Sequence, residues 1–78
     1  MQSYKINFDG YIVTDYANSG VDLFDLFAAM LEEFFDLALT AFDGHDAQAQ
    51  NSATDCECVG YYDAETRTLV LHLAGMFD

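Results

Sequence analysis

Residues 21–42 read VDLFDLFAAMLEEFFDLALTAF, and the spacing of their acids decides the fold to expect. At about 100° per residue, Asp22, Asp25, Ala29, Glu32, Glu33, Asp36, Thr40 and Asp43 fall within an arc of roughly 100°. Every other position from 21 to 42 is apolar. The pattern predicts one long helix over 20–42, with Ser19 as N-cap and Gly44 as the natural stop. Phe24, Phe27, Leu31, Phe34, Ala38 and Phe42 lie opposite the acids and should meet a sheet. The apolar arc spans roughly 260° by the same arithmetic, more than one flat sheet covers. Leu26, Met30 and Leu37 flank one side, and Ala28, Phe35 and Leu39 the other. Either a curled sheet or a homodimer interface must cover these flanks.

N-terminal to this segment, Tyr4, Ile6 and Phe8 alternate with Lys5 and Asn7, and Asp9-Gly10 supplies a type I′ turn. A hairpin over 3–16 follows, with Phe8 set against Tyr11, Ile6 against Val13 and Tyr4 against Asp15. Tyr4, Ile6, Phe8, Tyr11 and Val13 then share the core face. On the other side, residues 43–55 lack periodicity and are expected to form a loop. A second hairpin over 56–74 turns through Asp63, Ala64, Glu65 and Thr66, with Leu69, Leu71 and Leu73 alternating with Val70 and His72. The expected fold is a single α+β domain of order ββαββ: a four-stranded antiparallel sheet with one long helix across one face. Phe27, Leu31, Phe34 and Leu71 are its expected core.

The chain has 78 residues, two basic and fourteen acidic side chains, and a formal net charge of −12. Between Lys5 and Arg67 there are thirteen acids and no Lys or Arg. Salt bridges cannot neutralise such a segment, so most carboxylates must face water or a basic partner. A field of this sign repels nucleic acid and anionic membrane and attracts cationic surfaces. Direct nucleic-acid or phospholipid binding is therefore not expected. The acids within 21–42 exclude a membrane span. Met1 is followed by a polar, strand-like stretch rather than a leader, which points to the cytoplasm. Cys56 and Cys58 are too close along one strand for ordinary disulfide geometry, and reduced thiols in a reducing cytosol fit them better.

No catalytic motif stands out, and the chain does not read as an enzyme. Cys56 and Cys58 with His72 and His45 raise a zinc-bearing regulatory module as one alternative. A four-residue turn would pair Cys58 with Leu71 and turn both cysteines to the core. A one-residue bulge would instead set Cys58 opposite His72 on the outer face. The core placement is favoured, since unbridged cysteine is among the most buried residue types; no metal or other cofactor is expected. His45 and His72 have no hydroxyl or thiol partner at a recognisable spacing. Glu32 and Glu33 sit on a solvent stripe, without the apolar pocket that an acid/base carboxylate needs.

The acids themselves carry the functional signal. A solvated helix face usually interleaves Lys or Arg at i+4, worth a few tenths of a kcal/mol per pair. Here Asp22/Asp25, Glu32/Asp36 and Glu33/Asp36 are like-charged neighbours. Asp22, Asp25, Glu32, Glu33, Asp36 and Asp43 would line about 32 Å of helix, where one DNA strand carries about nine phosphates. In length, charge, lack of a catalytic motif and acids along a helix, the chain resembles the small acidic inhibitors of phages and mobile elements, the anti-CRISPR and anti-restriction DNA mimics. That resemblance implies a binding protein that blocks the basic nucleic-acid channel of a CRISPR effector or restriction enzyme, with these six residues as the contact set. The other alternative is an acidic adaptor for a cationic protein unrelated to nucleic acid.

Overall fold

The computed structural model describes residues 1–51 and 53–74. Its elements are β1 (Gln2–Phe8), β2 (Tyr11–Ala17), α1 (Leu23–Phe35), β3 (Ala38–Phe42), β4 (Asp46–Asn51), β5 (Cys56–Asp63) and β6 (Thr68–Ala74). They form one six-stranded sheet of order β2-β1-β6-β5-β4-β3. The sheet curls into a half-barrel, with α1 against its concave face. This corrects the expected four-stranded antiparallel sheet under one long helix: the chain is mostly β, the sheet is mixed, and the helix is short.

The first hairpin follows the expected register, with Phe8 opposite Tyr11, Ile6 opposite Val13 and Tyr4 opposite Asp15. Asp9 (φ 49°) and Gly10 (φ 97°) take the two left-handed positions of the turn. The Asn7 side chain accepts a hydrogen bond from the Gly10 N–H at 2.9 Å. Tyr4 and Ile6 are buried, whereas Tyr11, next to the turn, is 75% exposed. The free side of β1 pairs with β6 in parallel, Lys5 opposite Thr68 and Phe8 opposite Leu71.

The helix begins three residues later than the Ser19 cap required. Asp22 is the N-cap, and its carboxylate accepts the Phe24 N–H at 3.0 Å. The helix ends at Asp36, which takes φ 57°, a left-handed value that Asp tolerates better than most residues. The Asp36 and Leu37 N–H groups both turn back to the Leu31 carbonyl. From Leu37 the apolar period changes from 3.6 to 2: Leu37 and Leu39 are buried, Ala38 and Thr40 exposed. A bulge between Leu39 and Ala41 then swings Phe42 back to the concave face, where its ring stands 6.2 Å from that of Phe27. Gly44 (φ 94°) is thus the apex of a β3–β4 hairpin rather than a helix stop.

The expected loop over 43–55 contains β4. Its Asp-Ala-Gln-Ala-Gln alternation buries Ala47 and Ala49, which sit opposite Phe42 and Leu39. Small residues across from large ones keep this part of the sheet filled without crowding. The last hairpin turns one residue later than expected, closing on the Asp63/Thr68 pair with Arg67 at φ 53°. Cys58 therefore pairs with Leu73 rather than Leu71.

Phe27, Leu31 and Leu71 are fully buried, together with Ile6, Met30, Leu69 and Cys58. Phe34 is not in the core; it is 45% exposed. The curled sheet and the return of the chain through β3 bury Met30, Leu37 and Leu39 within a single copy. The helix flanks need no second copy to cover them.

Candidate functional site

The five acids at Asp22, Asp25, Glu32, Glu33 and Asp36 are exposed. They still fall on one side of α1 and its caps, opposite the buried Phe27 and Leu31. From Asp22 to Asp36 the stripe spans about 21 Å at 1.5 Å per residue, not the 32 Å that the longer helix would have given. One DNA strand of that length carries about six phosphates. The stripe is shorter than expected and denser.

Asp43 does not belong to it. With the helix ended at Asp36, Asp43 lies in the β3–β4 turn, where its Oδ1 accepts the His45 N–H at 2.8 Å and the Asp46 N–H at 2.7 Å. Those bonds hold its carboxyl below the usual carboxylate range. An open trough of about 850 Å³ lies beside this turn, lined by Asp43, Asp46, Gln48, Val59 and Tyr61 among others. It places a second, smaller group of carboxylates on the β3–β5 side of the sheet.

A folded-state pKa below the unfolded value means that the Asp43 contribution is present above the unfolded pKa and is lost as pH falls through the folded one. Replacing Asp43 with Asn should therefore lower the melting temperature near pH 6. The gap from wild type should close only as pH falls through the lowered folded-state pKa of Asp43, where its carboxyl becomes neutral like the asparagine amide. Parallel melting curves across that pH range check this, and a gap that stays constant would show that the charge contributes nothing.

Among the described residues, ion pairs within 4.0 Å join only His45 to Asp46 and His72 to Asp9. No Lys or Arg answers any acid of the helix stripe. Arg67 is instead committed to the backbone, its Nε donating to the Ser3 carbonyl at 2.9 Å.

The residues behind the zinc alternative are not brought together. Cys58 is fully buried on the concave face, and its thiol is pushed up by burial, with the Asp9 and Cys56 charges adding to the shift. His72 is opposite Val59 on the convex face, with its Nδ1 at 3.2 Å from Asp9 Oδ1. His45 lies across the sheet at the β3–β4 turn. Among the described residues no group of three or more His, Cys, Asp or Glu side chains is arranged to hold a metal ion, and no helix is long and apolar enough to cross a membrane.

Sequence reasoning missed the turn role of Asp43 and the Asp9–His72 clamp. The signal for the first was present: Asp43-Gly44 repeats the Asp9-Gly10 dipeptide that marks the first hairpin. No local signal marks the second, because the contact joins residues 63 apart. No protein-family model, curated protein or solved structure matches the chain.

Proposed function

We propose that this chain is a small acidic inhibitor that occupies a basic, nucleic-acid-reading surface of a CRISPR effector or restriction enzyme. The observation that carries the reading is a helix face of five exposed carboxylates with no Lys or Arg beside any of them. Such a face contributes nothing to folding through ion pairs, and its like-charged neighbours oppose helix formation. A cationic groove that normally holds phosphates supplies what the face lacks, since Arg and Lys bind carboxylate and phosphate oxygens with the same charge-assisted hydrogen bonds. Asp22, Asp25, Glu32, Glu33 and Asp36 form the contact row, and Asp43, committed to the β3–β4 turn, lies outside it. The protein acts by binding and carries no catalytic step.

Competition tests this directly. Added to purified CRISPR effectors and restriction enzymes holding labelled DNA, the protein displaces the DNA from its target. It does so weakly above about 0.5 M salt, where the Debye length falls to a few Å. If its partner in cells proves to be a cationic protein that binds no nucleic acid, the acidic-adaptor reading replaces this one.

A further inference from the structure

The two edges of the sheet are not equivalent. β3 is short, bulged after Leu39, and ends beside Asp43 and Asp46. β2 is seven residues long, pairs without a break on its inner side, and has no proline. Long unbulged edges invite another strand.

The direction of the unpaired groups on β2 follows from its neighbour. The Lys5 and Asp9 N–H groups of the β1 side turn toward β6, bonding the Arg67 and Leu71 carbonyls at 2.9 and 3.1 Å. The alternating residues Tyr4, Ile6 and Phe8 therefore bond to Asp15, Val13 and Tyr11 of β2. That leaves the backbone groups of Ile12, Thr14 and Tyr16 pointing outward. Their side chains are exposed on the convex face and uncharged, with Ile12 at 59% and Tyr16 at 63%.

Asp15 interrupts this edge. It is the one acid in β2, half-buried on the concave face opposite Tyr4. Its Oδ1 accepts the outward Tyr16 N–H at 2.8 Å, closing off a donor that an incoming strand would use.

We infer that β2 is an edge complementary to a second copy of this chain, and that Asp15 holds it shut. Continuity of the concave and convex faces across a two-fold axis requires like-facing residues to meet. Thr14 is the midpoint of Tyr11–Ala17, so an axis through it overlaps the whole strand. Thr14 then meets Thr14, and Ile12 meets Tyr16 on the convex face, an aromatic–β-branched pair of the stabilising kind. The same register directs every outward N–H and C=O of one strand at those of the other. It also brings the two Asp15 carboxylates within about 7–8 Å on the diagonal, while each withholds a Tyr16 N–H. The helix packs mainly on β1 and β3. The bulge in β3 stops growth from the opposite edge, so the product is a closed dimer rather than a filament.

Sedimentation at about 50 μM and 0.15 M salt tests the inference. Wild type runs as the 8.7 kDa chain, Asp15→Val runs at twice that mass, and adding Thr14→Pro to Asp15→Val restores the monomer. Proline at 14 removes an outward N–H that the β1 ladder does not use, so the hairpin keeps its bonds. Asp15→Thr, smaller in its effect on the concave face, serves if the valine variant loses its circular-dichroism signature. A wild-type dimer, an Asp15 variant that stays monomeric, or association that Thr14→Pro leaves intact would each overturn it.

Discussion

Replacing Gly60 with alanine is expected to cost more than about 3 kcal/mol of folding stability. Gly60 pairs with Leu71 in the β5–β6 ladder, at the centre of the sheet. A Cβ at this position would overlap the Val70 carbonyl oxygen and reach 2.9 Å from Leu71 Cα. Both obstacles are backbone, so no side-chain rotation relieves them. β6 would have to move, and it carries Leu69 and Leu71 in the core and the parallel ladder to β1. A chain of this size holds roughly 4–12 kcal/mol in all. Gly20→Ala is the internal control, since nothing lies within 4 Å of a Cβ there; it should change stability by less than about 0.5 kcal/mol. Urea denaturation of both variants decides the matter, and a Gly60→Ala loss below about 1 kcal/mol would show that the strands do not approach so closely.

Reversing Asp25, Glu32 and Glu33 to lysine should abolish displacement of nucleic acid from the target, weakening binding by at least about 100-fold. Each reversal replaces a charge-assisted contact worth roughly 1.5–3 kcal/mol with a repulsion. The net charge moves from −12 to −6, so the chain stays acidic and any generic effect of a negative surface survives. Asp22 and Asp36 are left alone because they cap the helix, one accepting the Phe24 N–H and the other at φ 57°. Lysine near the helix C-terminus at 32 and 33 suits the helix dipole and offsets the unfavourable lysine at 25 in the first turn, and circular dichroism checks that the variant is folded. A folded triple variant that still competes as wild type does would mean the stripe is only a solvated surface.

How far the fold could be read from the residues depended on whether the deciding contacts were local. The first hairpin was legible to the residue because Asp9-Gly10 fixes its turn and the turn fixes its register. The same dipeptide at Asp43-Gly44 was outweighed by the long apolar run before it. Leu37 to Phe42 satisfies a helical period and a strand period equally well over so short a length. The arbiter was the left-handed Asp36, which no pattern of hydrophobicity announces. β4 was hidden because its buried positions are alanines, whose weak apolar signal does not separate an alternating strand from a polar loop. Pairing of β1 with β6 depends on residues more than sixty apart and leaves no trace in either segment. Of the candidate site, five acids were placed on one side of the helix and its caps by angular arithmetic alone. Asp43 was misplaced because that arithmetic ran past the true helix end.

The central position of β1 bears on how the chain acquires its structure. Its first partner, β2, follows at once and ends at Ala17, but its second, β6, begins only at Thr68. Until then one side of β1 has no ladder, and Ile6 and Phe8 have only part of their eventual cover. During synthesis, at roughly 5–20 residues per second, the N-terminal hairpin therefore waits several seconds for the strand that completes it. Closing a loop of that length before any native contact rewards it slows folding. The high density of carboxylates in the intervening segment keeps such half-made chains apart by mutual repulsion, so the charge that we propose meets a cationic partner has a second consequence before the fold is complete.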